Sequence, residues 1–302
     1  MATTTSAIGV LSQPTAKQQG TPASPVTRSI TVVIAYILLI GFALAMVLPF
    51  VYAISNSFKD PADITAHPEL LLPTMGVSVA SYSKILHGDF PRWLFNSVFV
   101  AIAITVGHLV FDSMAAYALA RINFPGRRLA FAGVVGTMMV PSIVLLIPRF
   151  LVFRQLGMVD QYSGLILPGL ADAFGIFLMK QFFEGIPIDI EEAAAMDGAS
   201  RFRMFFVVIL PMAIPALTAL AIFGFQGSWN DFTGPLIALS RSQELYTLPL
   251  GLAKLRGVSG GSSLPWDMLL SGSVITTLPM ALIFFVFQRF FIEGVTYTGV
   301  KG

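Results

Sequence analysis

The chain has 302 residues, 55% of them hydrophobic and 11% charged, where soluble domains carry about 25% charged residues. With a mean hydropathy of +0.79 it cannot cover a soluble surface with polar groups, whereas a bilayer lets Leu, Ile and Phe face lipid directly. No cysteine is present, which excludes disulfides, thiolate metal sites and cysteine nucleophiles, and a net charge of +2 leaves no footprint for nucleic acid.

Residues 1–29 are rich in Thr, Ser, Ala, Gln and Pro and cannot bury enough apolar surface to fold, so a disordered tail is expected there. An apolar run follows from Ile30 to Ile54. Ala43-Leu44-Ala45 resembles a signal cleavage site, but the run continues well past it, so an uncleaved first span is expected. Five further apolar segments cover Asn96–Ala120, Leu129–Ile147, Tyr162–Phe183, Phe205–Gly227 and Met268–Ile292. Each approaches the ~20 residues a bilayer requires, and none alternates with period 2 as a barrel strand would. The fold class is therefore all-α: a polytopic bundle of about six transmembrane helices occupying residues 30–292, with residues 293–302 as a C-terminal tail. Pro141, Pro168, Pro211, Pro215 and Pro279 fall within these segments and predict kinked spans, since neighbouring helices can satisfy the carbonyls a proline frees.

Lys and Arg divide almost evenly between the two sides, so charge orients the bundle only weakly. The turn holding Arg121, Arg127 and Arg128 is its strongest part and favours an inner N-terminus.

Between the fourth and fifth segments lies a polar insertion, residues 184–204. It reads as a short helix with its own punctuation. Asp189 is placed to cap its N-terminus, with Glu192 three residues on. Ala193 to Ala195 propagate the helix, and Gly198 suits a left-handed stop. Ser200 is placed to cap the next helix, which passes Arg201 and Arg203 into the membrane. The result is a helix–turn–helix elbow at the membrane surface.

Glu192-Ala193-Ala194, then Gly198, then Val208, Leu210 and Pro211 resemble the EAA loop of bacterial ABC importer permeases, with Val208 standing for the usual Ile. Further segments are similar to the maltose-type (MalG-like) carbohydrate branch: Asn96-Ser97, Ala115 to Arg121, Phe124 to Arg127, Trp229 to Phe232, Tyr246 to Gly251, and the ending Glu293 to Gly302. The resemblance covers about residues 30–302. It implies a subunit of the bacterial cytoplasmic membrane, multi-pass, with both termini cytoplasmic. It implies a second homologous permease, a homodimeric cytoplasmic ATPase and an extracytoplasmic sugar-binding protein as partners. It also implies that the elbow is a coupling helix contacting the ATPase through Glu191, Glu192, Ala193, Ala194, Asp197, Gly198 and Arg201. ATP and Mg would then sit on the partner, and no GxxxxGK[ST] phosphate loop occurs in this chain. No cofactor, metal or catalytic residue is expected here, and no nucleic acid.

Several residues have bland explanations as well. Glu192 serves equally as half of a capping box, and Gly198 as a C-cap alone. His108 and Asp112 lie four apart on one helical face, and with Asp172 they define a competing reading, a proton-coupled carrier. A locally satisfied pair is the simpler account of the first two. Asp172, flanked by Ala171, Ala173 and Gly175, is a candidate for lining a polar path. Trp229 and Asn230 are candidates too, against the interfacial-anchor role common for Trp. A membrane-embedded redox enzyme fits poorly with three histidines, two of which (His67 and His87) lie in the first outer loop.

Overall fold

In the computed structural model the backbone is described for residues 25–258 and 265–299, and side chains for 31–255 and 265–288. The expected tail lies outside the described residues up to residue 24; its last five residues are already helical. Helix α1 spans Pro25–Ser57. The chain divides at Phe50, with Val51 opening the second unit. In the first unit, Val32 through Phe50 present apolar side chains on every face, the pattern of a helix surrounded by hydrocarbon.

Among its described residues, the regular structure of the second unit is all helical. Its first loop folds on itself. Lys59, fully buried, donates to the carbonyls of His67 (3.2 Å) and Leu70 (2.5 Å). Helix α2 spans Phe90–Arg121 and carries one π-helical turn, His108–Asp112. Near its N-terminal end, buried Asn96 donates to the carbonyls of Glu244 (2.8 Å) and Tyr246 (2.9 Å), and Ser97 accepts from the Leu248 amide (2.7 Å). That pair of polar residues therefore pins the segment after the fifth span to α2.

Spans three and five are broken, not merely kinked. Helix α3, Arg127–Met138, ends before Pro141, and the following stretch Ser142–Gln155 leaves at 93°. Proline lacks the amide that continuation needs and pushes its predecessor out of the α region. The same chemistry acts at Pro215: the segment Arg201–Met212 meets helix α6, Ile214–Trp229, at 81°. Pro168 sits in a 3-10 turn, Leu167–Gly169, between a helical turn at Tyr162–Ile166 and helix α4, Ala173–Gly185. Helix α5, Ile188–Met196, is the elbow, and helix α7, Trp266–Gly299, is the last span, passing Pro279 without a break. The backbone of α7 continues through most of the expected C-terminal tail; residues 300–302 lie outside the described residues. Among the described residues four helices are long and apolar enough to cross a membrane, and counting each broken pair as one span brings the number to as many as six.

One clamp holds two loops together. Asp160 has φ +60, and its Oδ1 accepts the amides of Ser240 (2.8 Å), Arg241 (2.9 Å) and Ser242 (3.0 Å). Burial pushes its carboxyl up, but the three amides together hold it below the ordinary 3.8. A carboxyl so lowered contributes stability above its ordinary range and loses it as pH falls through the folded value. Asp160→Asn keeps a residue that tolerates positive φ and removes the charge. Thermal unfolding of the variant at pH 7 should show a loss of about 1 kcal/mol, and the gap to the parent should close as pH drops below 3.8.

Candidate functional site

The elbow is built as its sequence punctuation suggests at one end and differently at the other. Helix α5 ends in Asp197, and Gly198 takes φ +79. The Gly198 amide donates to Ala195 O (3.0 Å) and the Ala199 amide to Ala194 O (3.0 Å), the paired bonds of a Schellman stop. Ser200 accepts the Arg203 amide at 3.3 Å and caps the next segment. At the start, however, Pro187 is the cap residue and Asp189 lies inside the first turn. Asp189 therefore does not cap α5; the fixed φ of Pro187 starts the helix earlier, and Asp189 still answers the positive helix end.

The two neighbouring glutamates point apart. Glu192 is exposed, but Glu191 is buried. Glu191 Oε1 lies 2.8 Å from Arg121 Nε as an ion pair without hydrogen-bond alignment, and its Oε2 accepts from the Tyr117 hydroxyl at 3.3 Å. Arg121 Nη2 also donates to the carbonyls of Phe183 (2.6 Å) and Ile186. Ile190 and Ala194 pack with Glu191's side of α5 against a core of Tyr117, Phe183 and Phe205. The opposite side carries Ile188, Glu192, Ala195 and Met196, spaced four, three and one apart on one helical face. Met196 is 89% exposed and Phe202, just past the turn, 70%. Ala193, Asp197, Gly198 and Arg201 are exposed as well. The apolar pair Met196 and Phe202 escaped the sequence reading, since each looks like an ordinary core residue until the helix phase is known.

A second feature lies deeper. A cavity of about 410 Å³ is lined by His108, Arg149, Asp172 and Asp231, with Phe174 and Phe223 among its walls. The two rings meet edge to face at 5.5 Å. Asp172 is exposed here, and its Oδ2 accepts the amides of Phe174 (3.1 Å) and Gly175 (3.4 Å), capping α4 at mid-span. Asp231 Oδ1 accepts the Gly234 amide at 3.0 Å. His108 Nδ1 stands 3.2 Å from Asp112 Oδ2, while Nε2 reaches Gly169 O at 2.8 Å. Asp112 Oδ1 accepts the Asp172 amide at 2.9 Å. The His108–Asp112 pair is thus closed on both sides by backbone groups and acts as a local brace. Trp229 does not line the cavity: it is buried, stacked on Phe225 at 5.5 Å, and donates to Thr276 O at 3.2 Å. Asn230 turns back to Gln226 O at 3.0 Å. Arg149 was missed because it reaches the cavity from a bent span, whereas Asp231, the carboxylate following Trp229 and Asn230, is the member of that trio that lines it.

Broken apolar spans around a polar cavity, with a two-faced elbow between two of them, define a multi-pass membrane transport subunit. A family model for binding-protein-dependent transport system inner membrane components matches residues 112–297. The chain is 36% identical to the arabinooligosaccharides transport system permease AraQ of Halalkalibacterium halodurans, over 91% of this chain and 99% of that one. It is also 36% identical to the trehalose transport system permease SugB of Mycobacterium tuberculosis, over 88% and 95%. A solved bacterial ABC transporter involved in importing the acidic polysaccharide alginate has a chain of TM-score 0.79 and 27% identity, covering 90% of this chain and all of that one. The chain belongs to the binding-protein-dependent inner membrane component family and is a permease subunit of an ABC importer. Nothing in these relationships supports a proton-coupled carrier.

The left-handed stop at Gly198 gives a direct test. Gly198→Val puts a β-branched side chain at φ +79, which costs about 1–2 kcal/mol locally. Hydrogen exchange across residues 193–203 should accelerate in this variant, with the membrane spans unchanged.

Proposed function

We propose that this permease imports a carbohydrate, pairs with a second similar permease, and is driven by a separate homodimeric ATPase seated on the outer face of α5. The observation that carries the reading is the asymmetry of α5: one side is rooted in the core, while the other leaves Ile188, Met196 and Phe202 exposed beside Glu192. Large apolar side chains left bare on and just past a polar elbow suit a protein partner. Glu192, Asp197 and Arg201 form the polar rim of that contact, with Ala193 and Gly198 between them. ATP and its Mg belong to the partner, which supplies the energy for uphill transport.

This assignment also orients the chain. The elbow meets a cytoplasmic ATPase, so the connection from α4 to the fifth span lies inside and six spans return both termini to the cytoplasm. A binding protein delivers substrate to the opposite side.

The carbohydrate class is supported by the transport names of the relatives and by the chemistry of the cavity. Carboxylates accept hydrogen bonds from hydroxyls, a guanidinium donates to ring and hydroxyl oxygens, and aromatic walls suit the C–H faces of a sugar ring. Asp172, Arg149 and Asp231 fill the polar roles. Trp229 and Asn230 serve as scaffolding that presents Asp231.

In cells carrying the whole system, replacing the phosphate-binding lysine of the ATPase should abolish uptake of labelled oligosaccharide. Uptake that persisted there but vanished with a protonophore would refute ATP coupling. Met196→Asp should lower recovery of the ATPase with the purified permease at least tenfold. Asp172→Asn should leave assembly intact and reduce uptake several-fold.

A further inference from the structure

The elbow and the cavity are joined by one helix held at both ends by α2. At the C-terminal end of α4, Arg121 donates to the carbonyl of Phe183 in the last turn and to that of Ile186 just past it. At the other end, Asp112 accepts the Asp172 amide at 2.9 Å. A cation at a helix C-terminus and an anion at its N-terminus both complement the helix dipole. Gly175 lets the second contact form: a Cβ there would collide with the Asp112 carboxylate and approach Leu220 Cδ1 to 2.8 Å. Along its length α4 packs on the last turns of α2, with Met179 and Phe183 fully buried against Ala116 and Tyr117. Thirteen residues of α4 span about 20 Å between the two pins.

Arg121 also reaches α5, through Glu191. Its guanidinium therefore joins three elements at one point: the end of α2, the end of α4 and the root of α5. Tyr117 adds a second contact to the same carboxylate.

We propose that Glu191 acts inward, and that Arg121 and Glu191 are positioning residues that make α5, α4 and the inner half of α2 one rigid lever. Movement of α5 is then delivered along α4 to Asp172 at the cavity wall. The glutamate next to it in sequence, Glu192, faces the partner, so the two acidic side chains divide contact from transmission. This rests on the ATPase-driven reading above.

The test uses the complete transporter reconstituted in liposomes with its binding protein, measuring ATP hydrolysis, uptake and retention of the ATPase on the permease. Glu191→Gln preserves shape and removes the charge partner of Arg121. The ATPase should stay bound and hydrolyse within about twofold of the parent, while sugar moved per ATP falls at least fivefold. Glu191→Asp should recover part of that ratio. Glu192→Gln should behave oppositely, weakening ATPase retention while the residual complexes keep their ratio. An unchanged ratio in Glu191→Gln would overturn the proposal, as would loss of the ATPase in that variant, which would make Glu191 a partner contact instead. Should the parent complex itself transport without ATP hydrolysis, the underlying reading fails, and that outcome is distinct from either.

Discussion

The Arg121 guanidinium sits where two unfavourable burials meet, and it answers both. A helix that ends inside a bundle leaves carbonyls without partners, and each buried orphan costs about 1–3 kcal/mol. Glu191, at 7% exposure, would cost more if left as a lone charge in the same place. One planar group with several donors satisfies the carbonyls of Phe183 and Ile186 while neutralising Glu191. Removing one partner of such a pair is expensive because the other stays buried. The position of α5 relative to the spans depends on this arrangement, since α5 has only nine residues and its own propensity cannot hold it.

The broken spans follow from the same accounting. Hydrocarbon offers no water to a free amide or carbonyl, so a helix interrupted at mid-membrane must be answered by side chains or must face a cavity. Both solutions occur at α4. Its exposed N-terminal amides are taken by Asp172, and the amide of Asp172 itself by Asp112. Asp172, so placed, also lines the cavity. A discontinuous helix thus creates the polar site and also fixes one of its walls.

The architecture was largely legible in the sequence because its signals are local. Six apolar runs reveal the spans through length alone. Gly198 and Ser200 reveal the turn of the elbow, since a left-handed stop and an N-cap are single-residue requirements met within five positions. What was not legible depends on phase and on distance along the chain. Glu191 and Glu192 are chemically identical, and only the helix phase, fixed by Pro187 and not by Asp189, decides which one turns inward. The partner that receives Glu191 lies seventy positions away, at Arg121, which the sequence marks only as one basic residue in an inner turn. Trp229 reads as an interfacial anchor, but Thr276 on α7 accepts its indole N–H, and that contact appears only once the bundle packs. Arg149 joins the cavity because the chain turns 93° after α3, an angle that Pro141 hints at without specifying.

In the proposed coupling, the two faces of the elbow place opposing demands on very few residues. A lever must grip at its root and bind at its tip, and a nine-residue helix offers barely two and a half turns for both. Small residues resolve the conflict. Ala194 lets the root sit close to the core beneath it, while Ala193 and Ala195 keep the exposed side low. A larger side chain at Ala194 would lift α5 off Arg121; one at Ala193 or Ala195 would hold the partner away. The glutamates, the alanines and the glycine stop are thus one solution to a geometric problem, in which each residue is confined by the face it occupies.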